Sequence, residues 1–246
     1  FAKGASDFAD YDKVANNEAV DVMVALGVFN GTEGNKFDPT AELTREQAAK
    51  IITYMLLGQE KADKLTATIA PYADVAANRW SAGAIAYCTS EGILAGSNGK
   101  FNPTGKLTGQ AFSKMLLVAL GYNAKIEGLE GSSWAINASK LAVAAGLDKD
   151  VDTALSSVMT REQAAQMAFN ALQADMVYYA NKGTEIKTSD GTTIVIGASD
   201  AAPVVDRVGV NYNGAARDTH DYTYQQFCEK YFDDLSKSTV AANAFG

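Results

Sequence analysis

Asp10 and Asp74, Phe37 and Phe101, Pro39 and Pro103, and Thr44 and Thr108 form four pairs of like or identical residues, each 64 positions apart. Such a repeat is a structural unit copied in tandem. It restricts the chain to folds in which similar modules bury their apolar faces against one another. The first copy runs from Asp7-Phe8-Ala9-Asp10 through Leu26-Gly27-Val28-Phe29-Asn30-Gly31 to Lys36-Phe37-Asp38-Pro39 and Leu43-Thr44-Arg45-Glu46-Gln47-Ala48. The second runs from Tyr72-Ala73-Asp74-Val75 through Trp80, Ile85 and Glu91-Gly92-Ile93-Leu94-Ala95-Gly96 to Lys100-Phe101-Asn102-Pro103 and Leu107-Thr108-Gly109-Gln110-Ala111. A third, worn copy keeps Ser133-Trp134, Ala145-Gly146-Leu147 and Met159-Thr160-Arg161-Glu162-Gln163-Ala164. It lacks the second glycine and the Phe-x-Pro element.

Each copy reads as a pair of helices. The first helix places Val20, Met23, Val24 and Leu26, or Ile85, Cys88 and Thr89, at helical spacing. Gly27, Gly92 and Gly146 end it where the chain must turn to positive φ. The Phe-x-Pro element is expected to pin the following loop to the core. Thr44 or Thr160 then opens a second helix through a Thr-x-x-Gln capping box, in which hydroxyl and amide satisfy backbone donors at the helix start. The second helices carry Ala48, Ile51, Ile52 and Met55; Phe112, Met115, Leu116 and Ala119; and Ala164, Met167, Ala168 and Ala171. One such pair is marginal alone, so the three are expected to gather their second helices around a shared centre.

With 47% hydrophobic and 20% charged residues among 246, the chain has the balance of a folded protein rather than a disordered one. Apolar stretches such as Met115 to Leu120 fall far short of the ~20 residues that cross a bilayer. The sequence starts at Phe1, and the expectation is that any export signal has been removed or was never included. The net charge is −8, and neither the first 175 residues nor the remainder carries a basic excess. Long-range repulsion therefore argues against nucleic acid and anionic membranes, while leaving room for a local arginine site. Cys88 and Cys228 match no zinc spacing. Asp148, Asp150 and Asp152 resemble part of a calcium loop but lack its glycine and closing glutamate. The single His220 stands in a polar stretch, and no nucleophile or phosphate-loop motif accompanies it. No metal, cofactor or catalytic residue is expected.

Taken in order, these motifs resemble the S-layer homology (SLH) domain family over residues 7–174. Its unit reads Phe-x-Asp, Trp, an Ile-rich helix, Gly-Ile-x-x-Gly, Phe-x-Pro and Thr-Arg-Ala-Glu before an apolar helix. The resemblance implies a mainly α fold: three tandem helix-loop-helix repeats, at 7–59, 66–123 and 124–176, in a pseudo-threefold bundle with grooves between neighbours. It also implies a secreted, non-catalytic, carbohydrate-binding module at the extracellular cell wall or S-layer surface of a Gram-positive-type cell. Such a module binds pyruvylated secondary cell wall polysaccharide, with no membrane insertion. The alternative is a structural segment that contacts other S-layer subunits or partners, with polysaccharide binding weak or lost.

For a carboxylate-bearing ligand, the chemistry points to helix N-termini with free N–H groups and an adjacent arginine. Arg45 and Arg161 follow the capping threonines and are read first as anion contacts and second as surface salt bridges with neighbouring acids. Thr44, Thr160, Gln47 and Gln163 are read first as caps and second as contacts, and Glu46 and Glu162 are counted with them among the ligand-binding residues. Trp80 and Trp134 either stack on sugar faces or wedge the units together. Gly31, Gly96 and Ser97 lie in loops that a ligand can approach closely. Gly109 replaces the arginine in the second copy and Ala15 replaces the tryptophan in the first, so one or two working grooves are expected.

After Ala174 the pattern changes, and residues 177–246 read as a small α+β segment at the start of a longer downstream region. Thr184 to Thr188 and Thr192 to Ile196 flank Ser189-Asp190-Gly191 as a β-hairpin. Gly197 to Pro203 reads as a loop. Tyr222 to Lys237 reads as an amphipathic helix with Tyr224, Phe227, Cys228, Tyr231 and Leu235 on its apolar side.

Overall fold

The computed structural model describes residues 4–189, 191, 193–204, 226–233 and 235. Each repeat contributes a first helix, α1 (Asn17–Ala25), α4 (Ala82–Ser90) or α6 (Trp134–Ala144). Each also contributes a second, α2 (Arg45–Leu57), α5 (Gly109–Ala119) or α7 (Arg161–Leu172). A short α3 (Gln59–Ala62) follows α2. The apolar residues expected on the second helices are buried, as are Val20, Met23, Val24, Ile85 and Cys88 on the first. Leu26 is only half-buried just past the end of α1, and Thr89 is exposed with its hydroxyl 3.0 Å from that of Tyr72.

The packing partner of each helix lies mainly in the neighbouring repeat. Helix α2 packs on α4, α5 on α6, and α7 returns to α1, so the worn third copy closes a ring with the first. At the centre, the residues just before the second helices bond in a cycle. The Leu43 N–H donates to the Met159 carbonyl at 2.8 Å, Leu107 to Leu43 at 3.0 Å, and Met159 to Leu107 at 3.0 Å. All three side chains are fully buried, which makes this cycle the hub of the core.

The loops between the helices are set by the residues that repeat. Gly27, Gly92 and Gly146 follow their helices at φ of 73°, 68° and 76°, a region that costs a side chain energy and glycine nothing. Asp10 accepts from the N–H groups of Phe37 and Asp38 at 2.7 and 2.9 Å, and Asp74 does the same for Phe101 and Asn102, both at 2.8 Å. The aspartate of Phe-x-Asp therefore clasps the Phe-x-Pro turn, whose phenylalanines are almost fully buried. Burial alone would raise the Asp10 pKa, but these backbone donors hold it below its usual value.

Beyond the ring, β1 (Val177–Tyr178) pairs with β4 (Ala202–Pro203), and β2 (Thr184–Lys187) pairs antiparallel with β3 (Thr193–Ile196). The hairpin stands where the alternation predicts it. The stretch ending at Pro203 is not wholly a loop, because Ala202 and Pro203 lie opposite Tyr178 and Val177 in the β1–β4 ladder. Two residues are too short to alternate, so no periodicity announces them. A short helix α8 (Phe227–Tyr231) packs on α2 and α7 with Phe227 fully buried. This helix is shorter than the expected Tyr222 to Lys237: it ends at Tyr231, and Phe232, Asp233 and Leu235 are not helical, with Leu235 exposed rather than on an apolar side. Apart from Gln226, the other residues of that stretch, and His220, lie outside the described residues. Cys88 is buried and Cys228 half-buried, with no disulfide between them. No helix among the described residues is long and apolar enough to cross a membrane.

Candidate functional site

The groove between the first and second repeats gathers residues from all three copies. It encloses about 190 Å³ and is lined by the 28–32 loop, one face of α2, Trp80 and Arg161. Gly31, Gln47, Trp80 and Arg161 from the sequence reading meet here, and Lys50 and Tyr54 join them. Gln47, Lys50, Ile51 and Tyr54 follow i, i+3, i+4, i+7 spacing, so projecting α2 from its capping box already places them on one face. That was the signal for the two residues the motifs alone missed.

The two capping boxes form as read. Thr44 accepts from the Gln47 N–H while Gln47 accepts from that of Thr44, and Thr160 with Gln163 repeats the exchange. The expectation of free N–H groups at these helix starts is not met. Arg45 and Glu46 donate their N–H groups to the Gly105 and Pro103 carbonyls at 2.9 and 3.0 Å. Arg161 and Glu162 donate to Ala41 and Pro39, and Gly109 and Gln110 to Ser157 and Leu155. Each second helix has its N-terminus finished by the loop of the next repeat in the ring.

The arginine side chains follow the same direction. Arg45 donates through Nε to the Phe101 carbonyl and through Nη2 to that of Ala95, both at 2.9 Å. Arg161 donates through Nε to Phe37 at 2.8 Å and through Nη2 to Asn30 at 2.7 Å. The guanidinium groups also lie 4.7 Å from the Phe101 ring centroid and 5.1 Å from that of Phe37. Each arginine thus clamps the Gly-loop of the next repeat to its own Phe-x-Pro turn. Arg161 is only 6% exposed, and burial lowers the pKa of both groups, with nearby acids partly compensating.

This direction explains Gly109. An arginine there would serve the third copy, which has neither the Gly-loop nor the Phe-x-Pro turn to clamp. Leu155 closes over the position instead, and a Cβ on Gly109 would stand 2.9 Å from the Leu155 Cα and carbonyl oxygen. Gly109 and the absent loop of the third copy thus fit one another across the same boundary.

The glutamates act across the same boundaries. Glu46 accepts from Arg79 Nε and Nη2 at 2.8 and 2.9 Å and from the Ser81 hydroxyl at 2.6 Å, just before α4. Burial would raise its pKa, but these donors hold it below the usual carboxylate value. Glu162 accepts from the N–H groups of Ala15 and, at 2.6 Å, Asn16, just before α1. Gly31 and Gly96 have a steric reason of their own: a Cβ would collide with the rings of Phe8 and Tyr72 lying across them. Ser97 stays exposed in the second loop, and Trp134 is half-buried against the core at the start of α6.

Within the groove, Trp80 is 57% exposed, a large aromatic face left in water. Lys50 Nζ sits 5.0 Å from the Tyr54 ring centroid and 3.8 Å from an Asp63 oxygen. Tyr54 donates its hydroxyl to Asp63 at 2.6 Å, and burial followed by that carboxylate raises its pKa, keeping it neutral. The groove between the third and first repeats, about 330 Å³, is lined differently. Gln166 and Asn170 stand where the first groove has Lys50 and Tyr54. Asn170 donates to the Leu147 and Lys149 carbonyls, and Gln166 bridges Asn170 to Asn16. Those amides are engaged in closing the ring.

Residues 7–49 and 71–113 match the family model of the S-layer homology domain. Both segments belong to that family. They are the first two repeats, and the third SLH-like copy takes the equivalent place in the ring outside the matched residues. Over 166 residues the chain is 28% identical to the "Middle cell wall protein" of Brevibacillus brevis, covering 67% of this chain and 15% of that protein. It is 28% identical over 169 residues to the "Cell surface protein" of Thermoanaerobacter kivui, covering 68% and 21%, respectively. It is 26% identical over 174 residues to the "Surface layer protein" of Brevibacillus choshinensis, covering 70% and 15%. The chain spans about a fifth or less of the length of these relatives.

Proposed function

We propose that this chain is a non-catalytic anchoring module at the cell surface, and that the groove between repeats 1 and 2 holds an acidic wall polysaccharide. The SLH family of two repeats and relatives named for the cell wall and surface support the surface location. The observation that carries the ligand class is that the exposed Trp80 lines the same groove as Lys50 and the buried Arg161. A sugar ring stacks on the indole while a carboxylate, such as that of a pyruvyl ketal, meets the ammonium. In this reading Lys50 makes the direct ionic contact. Arg161 shapes the floor and adds field, Gln47 and Tyr54 flank it, and Gly31 borders the wall.

Binding of the chain to purified wall polysaccharide, before and after chemical removal of its pyruvyl groups, tests the reading. Lys50→Ala is expected to weaken binding to the intact polymer by about tenfold or more, the worth of one charge-assisted hydrogen bond. It should barely change binding to the stripped polymer. Equal affinity of the native chain for both polymers would overturn the carboxylate contact.

A further inference from the structure

Strand β2 is a sheet edge whose four residues are all exposed, and it pairs with no strand but β3 among the described residues. The register sets Ile186 opposite Ile194 and Thr184 opposite Ile196, so Ile186, Ile194 and Ile196 share one face. They are 41%, 43% and 54% exposed, an apolar strip in water. Glu185 and Lys187 project from the opposite face, where Glu185 meets Lys125 Nζ at 2.8 Å and ties the hairpin to the ring. Lys187 has no ion-pair partner among the described residues.

We propose that β2 pairs antiparallel with β2 of a second copy of this chain, about a twofold axis through Ile186. The charge order selects that register. With Ile186 opposite Ile186, Glu185 of each copy lies opposite Lys187 of the other, giving two matched cross-strand pairs. Centring the axis on Glu185 or on Lys187 sets like charges opposite each other. A one-residue slip turns the isoleucines of one copy to the wrong face. The joined hairpins make a four-stranded sheet in which the three isoleucines of each copy run together as one strip. An axis normal to the sheet also leaves both rings on the Glu185 side, as in copies standing side by side on one surface. Four residues per edge give a weak contact, suited to a high local concentration. The pairing does not depend on which ligand the SLH groove takes.

Charge reversal in the whole chain tests this. Lys187→Glu sets glutamates at all the paired positions of a self-pair, and Glu185→Lys sets lysines there. In a Cys228→Ser background carrying Ile186→Cys, mild oxidation is expected to yield a disulfide-linked dimer, whereas Lys182→Cys in place of Ile186→Cys gives little. Either reversal alone is expected to cut the yield about tenfold. Mixing the two reversed chains restores it as the heterodimer, because each strand then meets its opposite. Equal cross-linking at positions 186 and 182, or no recovery on mixing, would overturn the pairing. Polysaccharide binding is unaffected in either case, so the two readings fail separately.

Discussion

Replacing Arg161 by alanine separates a loop clamp from a ligand contact. The side chain is buried, and its Nε and Nη2 satisfy the Phe37 and Asn30 carbonyls, the first of them in a buried bond. Truncation strands both acceptors at about 1–3 kcal/mol each, and the stem also leaves the Phe29 and Phe37 rings. We expect a loss of about 3–5 kcal/mol, a large share of the ~5–15 kcal/mol that holds a typical domain together. Arg161→Lys should recover about half, since one ammonium cannot fork to both carbonyls. Arg45→Ala, at a less buried site, should cost less. Urea unfolding gives the totals, and amide exchange locates them: protection should fall first at residues 30–38, the clamped loop of the first repeat. If Arg161→Ala keeps native stability and exchange while losing only polysaccharide binding, the clamp argument is wrong.

Gly109→Ala should destabilise by about 1 kcal/mol despite alanine's better helix propensity, because the new Cβ meets the Leu155 backbone; a raised Tm would contradict that. Glu46→Gln should cost about 2 kcal/mol by weakening the bonds from Arg79 and Ser81. The Glu46 carboxylate is held below a glutamate's ordinary 4.5 in the folded chain, so its contribution is full above that pH. It fades as pH falls toward the folded value, and Glu46→Gln should flatten the acid limb of a stability-against-pH curve. Trp80→Ala, at an exposed position, should leave the unfolding free energy within about 0.5 kcal/mol of native while weakening polysaccharide binding.

Where local chemistry decides the outcome, the sequence was readable. Gly27, Gly92 and Gly146 had to end helices, Thr44 and Thr160 had to cap them, and the hairpin declared itself by alternation around Gly191. The partners of Arg45, Arg161, Glu46 and Glu162 were not readable, because they lie 33 to 147 positions away across the ring. A motif reports which side chains are present but not which neighbour has already taken their hydrogen bonds. The arginines therefore looked like open anion contacts when their donors were largely engaged. Lys50, outside every motif, emerged only when α2 was turned to show its groove face.

Because the second helix of each unit is finished by its neighbour's loop, mutational drift in this chain should travel in pairs. A copy without that loop gives the preceding copy nothing for an arginine to clamp, and Gly109 packed beneath the Leu155 backbone is one such pairing. Substitution at Arg45 or Arg161 should accordingly be tolerated only together with a change in the loop it clamps.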